Sequence, residues 1–243
     1  MTAYRFRAVS AVALFLLLAF AVLAFGLVEG WALLIFELGV FALAAVWALG
    51  LALGKASWVW NPFYLPLGLV VGWMGVQYAR GLSVYPYRTA SEGLKWLSLS
   101  LLFVLAAHVF ADPTLRRAFG RALVWFLFVV CVFGLIQNFT STGLLYWTIP
   151  VTLGRIFGPF VNANHFTILL ELVIPTAALL VVRAGEQRLI YAGVLMILIA
   201  AVVVCASRMG IVLVAVETAL VLGFLALKRR HPKETRARRV GIA

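Results

Sequence analysis

Acidic residues are scarce in this 243-residue chain: eight Asp and Glu stand against 20 Lys and Arg. Charged residues of both signs make up only 12%, about half the share of a soluble domain. With so few charges, a water-soluble fold of this size could not cover the apolar surface of a chain that is 65% hydrophobic, with mean hydropathy +1.10. Two cysteines, Cys131 and Cys205, lie inside apolar runs, which excludes a disulfide framework or a thiolate metal site. Internal repeats and low-complexity tracts are lacking too. What remains is an integral membrane protein.

A helix rising about 1.5 Å per residue needs about 20 apolar residues to cross the hydrocarbon core. The runs predict about eight transmembrane helices, at 8–26, 31–53, 62–79, 94–111, 122–138, 165–182, 189–206 and 210–227. The expected fold is therefore all-α and polytopic, a transmembrane domain over 1–227 with a basic tail over 228–243 and no extramembrane domain. The first run is longer than a signal-peptide core and reads as an uncleaved anchor.

The net charge of +12 would suit nucleic acid only if it lay on one solvated face, and here it is split among short loops. Fifteen basic residues fall on one side of the map, seven of them in the tail between Lys228 and Arg239. Five fall on the other: Arg80, Arg88, Lys95, Arg155 and Arg208. That bias puts both termini in the cytoplasm and excludes nucleic acid as the partner. Anionic lipid is the expected neighbour of the tail.

Ionisable side chains within spans are functional candidates by default. Glu37, Glu171 and Glu217 each lie six or seven residues in from the outer end of their spans, about 9–10 Å deep. Gln77, Gln137 and Asn138 lie near the same surface, whereas His108 belongs to the inner half. Three carboxylates at one depth favour a polar vestibule open to the outer side, with Arg80 at its edge, over three separate packing pairs. Pro175 cannot donate to the carbonyl of Glu171, so a kink is expected there. Two outer loops are long, 80–93 and 139–164. The first is aromatic and basic, suited to the headgroup belt or to stacking on sugar rings.

The second loop ends in Arg155-x-x-Gly158-Pro159-Phe160-x-Asn162-x-Asn164-His165-Phe166. Gly158-Pro159 signals a turn, and Asn162 and Asn164 are good N-caps for the helix that follows. The last span begins alike, at Ser207-Arg208-Met209-Gly210, with Ser207 as the expected cap. Two outward-facing helix N-termini, each with an arginine, suit a pyrophosphate. Snorkelling to lipid headgroups is the bland role for each arginine.

These two runs, with Ser207 placed 41 residues after Phe166, resemble the O-antigen ligase and O-antigen polymerase superfamily over roughly residues 60–227. Members share a motif of the form R-x-x-G-x-F-x-N-x-N before one helix and S-R-G before another. Met209 stands here where a glycine is often seen. The resemblance implies a glycan on undecaprenyl pyrophosphate, transferred at the periplasmic face of a bacterial inner membrane to a glycan or lipid A core acceptor. It gives Arg155 and Arg208 the pyrophosphate, and it implies no metal and no cofactor. The family's general base is a histidine in a large late periplasmic loop, which is missing here. The histidines present are His108, His165 and His231, and His165 reads as part of the helix cap. The chain is therefore expected to be the amino-terminal part of such a transferase, with no assigned catalytic residue. The alternative is a transporter or lipid-carrier-binding protein without catalysis.

Overall fold

A computed structural model describes residues 3–151 and 154–230. Of the basic tail, residues 231–243, His231 among them, lie outside the described residues. The fold is mostly helical: α1 (Ala3–Leu23), α2 (Gly30–Ala52), α3 (Tyr64–Ala79), α4 (Pro86–Val109), α5 (Pro113–Thr140), α6 (Ala163–Glu171), α7 (Ile174–Arg183), α8 (Arg188–Val204) and α9 (Arg208–Arg230). Six segments of the described residues are long and apolar enough to cross a membrane. They are α1, α2, α4, α5, the α6–α7 pair and the stretch Gly185–Val204.

The helices differ from the apolar runs in instructive ways. The expected loop 80–93 shrinks because α4 starts at Pro86, whose fixed φ suits a first helical turn. That first turn is polar, so hydropathy alone passes over it. Likewise α5 begins at Pro113, well before its apolar run. Asp112 caps it, its Oδ1 accepting from the Thr114 and Leu115 amides at 2.7 and 3.2 Å. These two backbone bonds hold the carboxyl below its ordinary range. The span expected over 165–182 is broken between Glu171 and Ile174, where Pro175 withholds a donor. Among the described residues the departures from an all-α fold are a small hairpin, β1 (Leu144–Leu145) with β2 (Ile149–Pro150), and an isolated bridge between Phe157 and Phe160.

The chain forms two compact units, residues 1–119 and 120–243. In the first, α1, α2, α4 and the start of α5 share a core of Phe6, Ala11, Leu14, Trp47, Leu105, Val109 and Leu115. His108 is fully buried there and ties the segment after α2 to α4. Its Nε2 accepts from the Val59 amide at 3.0 Å, so the proton sits on Nδ1, 2.7 Å from the Val104 carbonyl. Trp47, Trp58 and Tyr64 surround the ring. Helix α3 packs on α4 and has only 16 residues, none of them buried. In the second unit, α7 packs on α8 and α9, and α6 packs on α8 and α9.

Candidate functional site

The loop before α6 is closed on itself. The Ala163 amide donates to the Arg155 carbonyl at 2.8 Å, and Phe157 and Phe160 exchange backbone bonds at 3.1 Å. Between them Gly158 has φ +54, which a two-residue hairpin turn needs at its first central position and which proline could not adopt there. Phe157 and Phe160 are buried against Phe166, with ring centroids 5.1 and 5.5 Å away. Gly158 and Phe160 are thus packing and turn residues.

Gln137 on α5 fastens this wedge. Its Nε2 donates to the Gly158 carbonyl at 3.0 Å, and its Oε1 accepts from the Tyr146 amide at 3.1 Å. Gly134, one turn earlier, leaves the space that Phe157 fills: a Cβ there would stand 2.6 Å from the Phe157 ring. Sequence reasoning placed Gln137 among the polar residues near the outer surface and gave Gly134 no role. The signals were present, an amide and a glycine inside an apolar run, but nothing local named their partners. The β1–β2 turn holds a second surprise. Tyr146 and Trp147 both have positive φ, +53 and +60, although neither is glycine or asparagine. Both rings pack on Phe133, and Trp147 Nε1 donates to Thr140 Oγ1 at 2.9 Å, which offsets a strain of about 1–2 kcal/mol per residue. Partial burial raises the Tyr146 phenol above its ordinary range.

At the start of α6, Asn162 accepts from the Asn164 amide at 2.9 Å and so caps the helix. Asn164 and His165 are exposed on its first turn. At the start of α9, Ser207 does the same work. Its Oγ accepts from the Gly210 amide at 3.3 Å and its carbonyl from the Ile211 amide at 3.0 Å. Ala206, at φ +46, turns the chain out of α8 just before it.

The two helix starts border one groove of about 480 Å³. Asn164, Ile168 and Glu171 line one wall from a single face of α6. Ser207, Arg208, Met209, Gly210 and Leu213 line the other, with Ala206. Glycine is required at 210: a Cβ there would run into Thr167 Cγ2 and stand 3.1 Å from Glu171 Oε1 and 3.2 Å from Ser207 Oγ. Side chains of α6 therefore pack directly on the α9 backbone at Gly210, and the Glu171 carboxylate lies against the first turn of α9. That is the positive end of the helix dipole. Glu171 is 9% exposed and accepts no hydrogen bond from the described residues. Glu217 lies within electrostatic reach of it, and its buried Oε2 likewise has no donor among the described residues.

The two arginines part company. Arg208 lines the groove with an exposed side chain. Arg155 does not line it: its Nη2 donates to the Val204 carbonyl at 2.7 Å. Val204 is the last residue of α8, so the guanidinium satisfies a carbonyl that the helix itself leaves open and places a cation at its negative end. Of the remaining candidates, Glu37 and Arg80 belong to the first unit. Glu37 is buried on α2 with Lys95 of α4 as the cation facing it, and Arg80 is exposed at the end of α3. Glu171 and Glu217 belong to the second unit.

No protein-family model, curated protein or solved structure shows significant similarity to the chain.

Proposed function

We propose that the chain is a multi-pass protein of a bacterial inner membrane that binds a pyrophosphate-linked glycan lipid at its outer face for transfer to an acceptor sugar. The eight apolar runs then form eight spans with both termini in the cytoplasm, as the loop charges favour. One observation carries this reading: the two stretches that resemble the ligase and polymerase motifs, 41 residues apart in sequence, border the same groove. Arg208 and the free amides at the start of α9 are the groups for a phosphate. Arg155 acts behind them by holding the end of α8, from which the turn to Arg208 departs. The acceptor is a glycan or a lipid A core, and the leaving group is the lipid pyrophosphate.

The test is transfer in proteoliposomes supplied with lipid-linked oligosaccharide and acceptor glycan. Arg208→Ala should abolish transfer, while Arg208→Lys keeps a charge but loses the bidentate fork and should retain a small fraction. Full activity in Arg208→Ala would remove Arg208 from the site.

The broken helix beside Glu171 is the observation that favours a second reading, a carrier that moves its ligand unchanged. Uptake into proteoliposomes without chemical change of the ligand, with no transfer in the same vesicles, would select it.

A further inference from the structure

Arg208 and the first amides of α9 explain an anion at the groove, but they leave Glu171 without a purpose. The residue is nine-tenths buried and its carboxylate has no salt bridge and no hydrogen-bond donor among the described residues, which is costly in an apolar setting. It also lines the groove, so a ligand bound there can reach it. The start of α9 offsets part of that cost through its dipole, but no neighbouring side chain among the described residues donates to it. The Ser207 hydroxyl is engaged in capping α9, and the Thr167 hydroxyl donates to the Ala163 carbonyl at 3.0 Å. Glu217 lies within electrostatic reach, but no hydrogen bond joins the two glutamates. The groove therefore has an anion-binding wall and a carboxylate acceptor. A bare phosphate satisfies the first and repels the second. A phosphate carrying an adjacent hydroxyl-bearing ring satisfies both.

We propose that Glu171 is a specificity residue that accepts a hydrogen bond from a hydroxyl of the sugar joined to the pyrophosphate, so that the groove recognises a glycosyl pyrophosphate rather than a lipid pyrophosphate alone. This rests on the function proposed above and adds to it the part of the ligand that the groove reads. Selectivity follows from what happens in the absence of the sugar: the buried carboxylate then stays unpaired while an anion is brought beside it. Ile168 and Leu213, which also line the groove, supply apolar surface for a ring face. Asn164, exposed on the α6 wall, is a further amide for ring hydroxyls.

Binding is measured on the full chain in nanodiscs, with two probes: farnesyl pyrophosphate, and farnesyl pyrophosphate carrying a single hexose on its terminal phosphate. Wild type should bind the hexose probe about tenfold more tightly or better, the range for a hydrogen bond to a charged group. Glu171→Gln should lose most of that preference, and its binding of the bare probe, which also reports that the variant is folded, should hold or improve. Glu171→Asp withdraws the carboxylate by one methylene and should fall between the two. Arg208→Ala should weaken both probes alike. Equal binding of the two probes by wild type, or a preference unchanged in Glu171→Gln, would overturn the role of Glu171 while leaving a pyrophosphate site intact. Failure of wild type to bind either probe would overturn both the role and the function on which it rests.

Discussion

Gly210 is a tight joint between α6 and α9, and the structure predicts what a single methyl there would do. A Cβ on residue 210 would collide with Thr167 Cγ2 and crowd Glu171 Oε1 and Ser207 Oγ. Overpacking of this kind costs about 1–3 kcal/mol. Against it stands the helix preference of alanine over glycine, at most about 1 kcal/mol. Gly210→Ala should therefore destabilise the protein by up to about 2 kcal/mol. Thr167→Ser removes the colliding methyl and keeps the hydroxyl that bonds to Ala163. By itself it should be mildly destabilising, because it opens a gap. Combined, the new methyl fills the space of the lost one, and the pair should be coupled favourably by about 1–3 kcal/mol, well outside additivity. The assay is a double-mutant cycle on detergent-solubilised protein, with unfolding followed by far-ultraviolet circular dichroism. Additivity within about 0.5 kcal/mol would refute the close contact between the helices.

Two further outcomes follow from the loop clamp and the α5 cap. Gln137→Leu strips partners from the Gly158 carbonyl and the Tyr146 amide, at about 1–3 kcal/mol for each group left buried and less where water reaches it. Amide hydrogen exchange over 144–163 should speed up roughly tenfold or more, and unchanged protection there would remove Gln137 from its role as clamp. Asp112→Ala loses the α5 cap, and the pH dependence has a definite sign. The native carboxyl titrates below its ordinary value, so its stabilisation is complete above about pH 4 and is lost as pH falls through the lowered native value. The melting-temperature gap between wild type and Asp112→Ala should accordingly be constant from pH 7 to about pH 5 and close at lower pH. A gap that persists under strong acid would contradict it.

What could be read from the sequence was whatever short-range rules govern. Asn162 and Ser207 announce helix starts, Gly158-Pro159 a turn and Pro175 a break, because each acts within four residues of itself. Span positions came from apolar runs, which delimit the greasy part of a helix and not its ends. The polar first turns of α4 and α5 were missed for that reason. The hidden part is long-range or unfavourable to its own residues. Nothing near Arg155 announces a carbonyl 49 residues away, and this bond separates its role from that of Arg208. The left-handed backbone of Tyr146 and Trp147 runs against local preference and is sustained by Phe133 on another element. The groove itself depends on the approach of α6 to α9, which Gly210 permits but does not reveal.

The brevity of α3 has a consequence for the surrounding lipid. Sixteen residues give a rod about 24 Å long, against a hydrocarbon layer of about 30 Å. If it spans the bilayer, as the proposed topology has it, the layer beside α3 has to pinch by about 6 Å, at fractions of a kcal/mol per Å. In that topology α3, which packs on α4 and has no buried residue, would turn its remaining surface to the acyl chains. The protein is then best accommodated in thin membranes, and acyl-chain length becomes a variable that shifts its energy without touching any residue of the groove.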